Sequence, residues 1–167
     1  MKIRAEVEQD RNAVYALNRA AFESDIEADL VDALRLRADP YISLVAEDGG
    51  EVIGQIMFSP ATLSADPEFR AMALGPMAVK PGRQRQGIGS ALVRDGLAAC
   101  KQLGYQAVFV LGHPQYYPRF GFLPASRYLI SSVYEVPDEA FMALELTPGA
   151  LSDKAGKMHY QPAFDGL

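Results

Sequence analysis

The chain has 167 residues, 49% of them apolar and 22% charged, with a formal net charge of −5 at neutral pH. That length suits one domain, residues 1–167, with a full hydrophobic core, and the acidic balance argues against broad nucleic-acid binding. A single cysteine, Cys100, excludes an internal disulfide and a cysteine-based zinc site; with no apolar run near the ~18 residues of a membrane helix and no apolar stretch behind Lys2 and Arg4, neither a membrane span nor a signal peptide is predicted, and the expected location is cytoplasmic.

Ile3 to Val7 alternates weakly and reads as a first strand. Asp10 is an N-cap candidate for a helix with Val14, Leu17, Ala20 and Ala21 on one face. Asp25 stands likewise before a second helix with Ile26, Leu30, Ala33 and Leu34 inward, ending ahead of Pro40. Tyr41–Glu47 and Glu51–Leu63 are apolar segments around Asp48-Gly49-Gly50, a strong hairpin signal. Asp66-Pro67 marks a loop before a strand at 71–79. Gly75-Pro76 inside that strand predicts a bulge or splay, because proline cannot donate to a ladder. A helix from about Ile88 to Leu103 presents Ile88, Leu92, Ala99 and Leu103 on one side, with Gly104 as its stop. Ala107–Leu111 is a short apolar strand, and strand–helix–strand implies a right-handed parallel crossover. Phe141–Leu146 and Lys157–Tyr160 read as further strands. The order predicts an α/β (α+β) domain with a mixed, mostly antiparallel sheet. Cys100 sits among the apolar residues of the third helix and reads as a small core residue.

The stretch LGPMAVKPGRQRQGIGSALV, residues 74–93, carries the chemistry. An apolar strand ends at Val79, Pro81 and Gly82 stop it, and Gln84-Arg85-Gln86-Gly87-Ile88-Gly89 turns into a helix whose first turn holds Ser90. The first amides of a helix lack partners within it and point outward with the positive end of the dipole, so the turn is an anion site. Gly87 and Gly89 let an anion approach the backbone. Two other phosphate loops are excluded. Gly82 and Gly87 have the G-x-x-x-x-G spacing of a Walker loop, but Ile88 and Gly89 follow where that loop needs Lys and Ser or Thr. Gly87-x-Gly89 starts a dinucleotide fingerprint, but Leu92 takes the third glycine position, and residues 105–112 hold no acidic ribose ligand. Lys80, Arg83 and Arg85 form a basic patch around the loop. In an acidic chain, attraction for a polyanion is the better reading than solvated charge.

What remains, Q-x-x-G-x-G after a strand, resembles the acyl-CoA pyrophosphate loop of the GNAT N-acetyltransferase superfamily. A second motif follows the strand Ala107–Leu111, in LGHPQYYPRFGF. Both motifs lie at the carboxyl ends of neighbouring parallel strands, where α/β sheets bind ligands. Tyr117 stands four residues before Gly121-Phe122, matching a superfamily tyrosine. With GPMAV and a terminal Y-x-P-A-F (Tyr160 to Phe164), the chain resembles the YhbS-like branch of that superfamily over nearly its whole length.

The resemblance implies a GNAT-like acyl-CoA N-acyltransferase fold, its mixed sheet flanked by helices and splayed at the central parallel strand pair. It implies acetyl-CoA as cosubstrate, with no metal, its pantetheine arm along Met77, Ala78 and Val79 and its pyrophosphate on the turn from Gln84 through Arg85, Gln86, Gly87, Ile88, Gly89 and Ser90. It also implies transfer to a primary amine by direct attack, with Tyr117 as general acid toward the leaving thiolate; a phenol keeps its proton at neutral pH and can donate it. The structural alternative for both Tyr116 and Tyr117 is a buried aromatic with a satisfied hydroxyl, and it is the reading preferred for Tyr116. His113 reads as a loop cap rather than a catalyst. The strand residues 70–79 contain no carboxylate where many superfamily members place a base, so the base is unassigned. That lack supports an alternative, a non-catalytic acyl-CoA-binding regulatory module. The acidic run Glu23, Asp25, Glu27, Asp29, Asp32 could recognise a cationic amine or peptide, but a solvated helix face is the preferred reading. The acceptor and the oligomeric state, a homodimer included, stay open.

Overall fold

The computed structural model of the chain describes residues 1–165. β1 (Lys2–Ala5) leads through a 3-10 turn at Glu8–Asp10 into α1 (Arg11–Phe22) and α2 (Ile26–Arg37). Asp10 stands at the N-cap of α1 but does not cap it. Its carboxylate accepts from the Arg4 guanidinium at 2.7 and 2.9 Å and from the Val7 amide at 2.8 Å. A two-pronged charged hydrogen bond outweighs a cap bond. Asp25 behaves the same way: it pairs with Arg19 at 3.0 Å, and Ser24 Oγ accepts the Ile26 amide instead.

The inner faces of both helices differ in part from the periodic reading. Val14 and Leu17 are buried as expected, but Ala20 is exposed and Asn18 takes the inner position. Asn18 is tolerated there because its amide nitrogen donates to the Val14 carbonyl at 3.0 Å and to Gln55 Oε1 at 3.1 Å, and Gln55 donates on to Ser43 Oγ at 3.0 Å. In α2, Leu30 and Leu34 are joined by Ala28 and Val31, and Ile26 is exposed.

β2 (Ile42–Asp48) and β3 (Glu51–Leu63) form the expected hairpin, its turn made by Gly49 and Gly50 at φ 58° and 81°. Two successive positive φ values are what a primed two-residue turn demands. β4 runs from Asp66 to Val79, longer than the predicted strand: Asp66 already opposes Leu63, so Asp66-Pro67 begins the strand rather than a loop. Proline is acceptable at the next position because the register breaks between Asp66 and Ala71, leaving Pro67 without a ladder partner. α3 (Ile88–Gln102) and β5 (Ala107–Leu111) complete the crossover. Leu103 is exposed, and the inner row is Ile88, Leu92, Val93, Gly96 and Cys100. β6 (Leu123–Pro124), β7 (Ile130–Ser132), β8 (Phe141–Glu145) and β9 (Gly156–His159) follow.

Among the described residues nine strands form one sheet in the order β1-β2-β3-β4-β5-β8-β6, with β9 pairing the far end of β3 and β7 pairing β9, and of their pairings only β4–β5 and β7–β9 are parallel. The sheet carries core on both faces, following its period of two. Phe58, Val108 and Val110 pack under α3, with Cys100 among them. Met57 faces the other way, with Val14, Leu30 and Leu34 of α1 and α2. Phe109, Phe141 and Met158 form a third cluster around the C-terminal strands. Among the described residues no helix is long and apolar enough to cross a membrane.

Candidate functional site

The site originates in a local conflict between two strands. β4 and β5 pair in parallel from Ala71↔Ala107 to Leu74↔Val110. Beyond Leu74 they separate. On the opposite edge Ile56 faces Met77 while Phe58 faces Leu74, so Met57 alone stands across from Gly75-Pro76. One extra residue bends β4, which is the predicted bulge. The β5-side edge of β4 from Gly75 to Val79 is thereby left without a strand partner, an extended backbone edge lining a cleft.

At the end of β4 the chain makes the turn into α3. Gly87 occupies the N-cap at φ 84°, with no side chain capping the helix, and a Cβ placed on it would meet nothing within 4 Å. The first helical bond is Ala91 N–H to the Gly87 carbonyl at 3.0 Å, so the amides of residues 88–90 have no partner inside the helix. Arg85 sits at φ 62°, a conformation side-chain-bearing residues rarely adopt and one that clusters at functional turns. The turn borders a hollow of about 660 Å³. Of the residues expected to hold the cofactor, Met77, Val79, Gln84, Arg85, Gly87, Gly89 and Ser90 line it. Ala78 and Ile88 are buried in the core, and the Gln86 side chain turns back to accept from Arg83 Nε at 3.2 Å, so these three offer only main-chain groups. Gln84 Nε2 donates to the Val79 carbonyl at 3.2 Å, tying the turn to the strand end.

The basic patch is narrower than its sequence suggests. Lys80 is paired with Glu51 and Arg83 with Asp48. Arg85 is left without a carboxylate partner among the described residues, and Arg119, which the sequence reading did not select, joins it in the lining. Arg119 is held over the Tyr116 ring at 4.4 Å and donates to the Tyr116 carbonyl at 2.9 Å. Among the described residues no carboxylate lines this hollow.

Tyr116 and Tyr117 part company. The Tyr116 hydroxyl is 2.9 Å from the Ser90 hydroxyl, the satisfied contact expected of it. Tyr117 is 7% exposed and packs edge-on to Tyr116 and Phe122. Burial pushes its phenol up to about 12, and the neighbouring Tyr116 adds to the shift. Met77, His113 and Tyr117 line the first hollow and also a second, of about 620 Å³, on the other side of the strand divergence. The cleft therefore passes through the splay, and these three side chains stand at its waist. A separate hollow of about 710 Å³ along the outer side of α1, at the Arg19–Asp25 ion pair, shares no residue with the cleft.

The second hollow lies where the α1–α2 cluster meets the C-terminal cluster. Phe164 packs on the former, Tyr160 on the latter, and the two rings are 5.0 Å apart. Tyr134 stacks on Tyr160 at 5.3 Å. The Tyr160 hydroxyl is buried beside Ser132, but no hydrogen bond of ordinary geometry joins them. Glu27, from the first turn of α2, is the one carboxylate among the described residues that lines this space. The sequence placed Glu27 in a solvated acidic run; nothing local distinguishes it from Glu23 or Asp29, and it becomes a cleft residue only through the tertiary packing that brings Tyr134, Tyr160 and Phe164 to the same hollow. Among the described residues no group of three or more His, Cys, Asp or Glu side chains is arranged to hold a metal ion.

Residues 11–122 match the Acetyltransferase (GNAT) family. Over 166 residues the chain is 36% identical to the uncharacterized N-acetyltransferase YhbS of Escherichia coli (strain K12), covering 99% of each protein. The crystal structure of the GNAT family N-acetyltransferase YhbS from Escherichia coli in complex with CoA superimposes with a TM-score of 0.91 at 35% identity, over 98% of this chain and 91% of that one. A GNAT family acetyltransferase from Brucella melitensis in complex with acetyl-CoA is also similar, with a TM-score of 0.81 at 34% identity, over 98% of this chain and 97% of that one.

Proposed function

The chain belongs to the acetyltransferase (GNAT) family, and on that footing we propose that residues 1–167 act as one cytoplasmic, acetyl-CoA-dependent N-acetyltransferase domain, moving the acetyl group to a primary amine by direct attack. The observation that carries this is the cleft through the splay: an anion-suited hollow at the α3 N-terminus and an acceptor-sized hollow beyond it, meeting at Met77, His113 and Tyr117. Similar proteins are described with CoA and acetyl-CoA bound, which supports the same cosubstrate here.

The residues fit that cosubstrate. The free amides of the Arg85–Ser90 turn, with Arg85 and Arg119 beside them and no carboxylate in the lining, suit a diphosphate. The unpartnered edge of β4 at Met77 to Val79 suits an amide-bearing arm, which would add to the sheet as a peptide does. Acetyl-CoA supplies a thioester already activated toward an amine. Tyr117 stands at the waist, where the sulfur would come to lie. A phenol held at about 12 surrenders its proton to a thiolate, normally near ~8.5, only as it gains another from the acceptor nitrogen. Tyr117 thus acts as a relay that keeps its proton between turnovers. Holding both reactants in one cleft supplies much of the rate.

The test is release of free thiol from acetyl-CoA with a panel of primary amines. Tyr117→Phe is expected to lower kcat roughly 100-fold or more, the scale of a positioned general acid, with acetyl-CoA affinity little changed. Equal turnover by the variant removes Tyr117 from the mechanism. Saturable acetyl-CoA binding with no turnover on any amine leaves the binding-module alternative standing. Cys100 does not disturb the readout: burial pushes its thiol up to about 12, so it stays protonated and unreactive in the fold.

A further inference from the structure

The two halves of the cleft carry opposite chemistry. Among the described residues, the hollow at the α3 turn is lined by Arg85 and Arg119 and by no carboxylate, and the hollow beyond the waist by Glu27 and by no lysine or arginine. Glu27 is half-buried and has no ion-pair or hydrogen-bond partner among the described residues, whereas Arg4, Arg35, Lys80 and Arg83 each have a carboxylate partner. A half-buried carboxylate without a cation, in a lining otherwise made mostly of aromatic and aliphatic residues with His113, is an incomplete pair.

The remaining walls say what the missing partner is attached to. Phe22, Tyr134, Tyr160 and Phe164 give the space aromatic walls, and Leu30 and Val136 add aliphatic ones. Aromatic faces attract a cation and also cover an apolar body. At about 620 Å³ the space has the size of a small-molecule site. With one carboxylate in the lining, a second or third positive charge on the ligand would be desolvated without a partner, which is strongly unfavourable.

Resting on the acetyl-transfer reading of the cleft, we infer that Glu27 is the residue that selects the acceptor, and that the acceptor is a small monocationic primary amine on an apolar, aryl or alkyl, body rather than a polyamine or another polycation. Glu27 pairs with the incoming ammonium and takes one proton from it, releasing that proton to solvent through the open side of the hollow. The neutral amine forms the N–C bond to the thioester carbonyl carbon and the C–S bond breaks. The second proton lost by nitrogen restores Tyr117 as Tyr117 protonates the departing sulfur, giving an amide, free CoA and one released proton.

The full-length protein saturated with CoA is titrated by calorimetry with 2-phenylethylamine, with its uncharged analogue 2-phenylethanol and with spermidine, for the wild type and Glu27→Gln. The wild type is expected to bind 2-phenylethylamine more tightly than spermidine. Glu27→Gln is expected to weaken the amine roughly 10- to 100-fold, the scale of a charge-assisted hydrogen bond, and to leave 2-phenylethanol unchanged. Unchanged amine binding in the variant, equal weakening of amine and alcohol, tighter binding of spermidine, or no amine binding at all overturns the inference. Thiol release with acetyl-CoA in place of CoA separates the two readings: selective amine binding without turnover keeps the inference and removes the transfer step, whereas turnover without amine selectivity removes the inference alone. A protein that binds no CoA removes both.

Discussion

The ring of Tyr117 lies against the backbone of Gly112 so closely that a Cβ there would stand 2.4 Å from Cε2 and 3.0 Å from Cδ2. Gly112 is fixed in turn, its amide donating to the Ala140 carbonyl at 2.9 Å. An added methyl therefore has to push the ring rather than the strand end. Gly112→Ala is expected to move the phenol away from the waist of the cleft and to lower kcat by roughly 10- to 100-fold, because general-acid catalysis depends on heavy-atom placement. Acetyl-CoA affinity should stay within a few-fold. The double variant with Tyr117→Phe separates steric displacement from general damage: it should fall no lower than Tyr117→Phe alone, and a further loss would assign Gly112 a different role.

The buried phenol also fixes a pH dependence. Desolvation disfavours the phenolate, so the folded protein holds the Tyr117 proton up to about 12, against 10.0 for an unperturbed tyrosine. Between those values the unfolded chain binds fewer protons than the folded one, so this contribution to stability is intact below pH 10 and is lost as pH rises toward 12. For catalysis the expectation is a kcat that climbs as the bound ammonium loses its proton and shows no descending limb from Tyr117 below about pH 10. Rate profiles on two amines of different basicity check this. A descending limb near neutrality that vanishes in Tyr117→Phe would contradict the relay role.

The anion turn can be tested without disturbing its backbone. Gly89 lies within α3, and a Cβ there would make ordinary contacts, 3.4 Å to the Tyr116 hydroxyl, 3.6 Å to Met77 Cε and 3.7 Å to Val79 Cγ2. Those neighbours place its side chain in the hollow. Gly89→Ala should fold normally and narrow the space slightly. Gly89→Glu brings a carboxylate to the site assigned to the diphosphate, and acetyl-CoA affinity should fall by at least roughly tenfold relative to Gly89→Ala, more at low salt than at high. Equal affinities for the two variants, measured by calorimetry, would place the phosphates elsewhere.

The contrast between what was and was not legible in the sequence follows from the range of the interactions. The β4–turn–α3–β5 unit is written in local signals: an apolar run, Pro81-Gly82 as a stop, glycine at the helix cap, and the Gly75-Pro76 break that becomes the bulge. Local signals failed where a distant charge or a tertiary contact decided the outcome. Asp10 left its cap for Arg4, and Asn18 displaced Ala20 because Gln55, from β3, offers it an acceptor. Glu27 and Arg119 went unselected for the same reason. Each gains its role from segments far along the chain, Glu27 from Tyr134, Tyr160 and Phe164 in the same hollow and Arg119 from the Arg85 turn it meets across the cleft, and single residues in an acidic run or a loop carry no mark of such neighbours.

Gly96 shows the same principle in the core. It lies in the middle of α3, where glycine is intrinsically unfavourable by about 1 kcal/mol relative to alanine. Helix propensity alone predicts that Gly96→Ala stabilises the protein. The structure predicts the reverse: a Cβ would stand 2.3 Å from Phe58 Cε1 and 2.5 Å from Cζ, and Phe58 is fully buried in β3. The overpacking should outweigh the propensity gain, with a net loss of roughly 1–3 kcal/mol and a lower Tm. Shortening the opposing side chain tests the cause. Phe58→Leu alone should destabilise by leaving space beneath α3, and Gly96→Ala added to it should cost less than in the wild type or be favourable. If the two losses simply add, the close approach of α3 to β3 at this point is not what holds glycine in the helix.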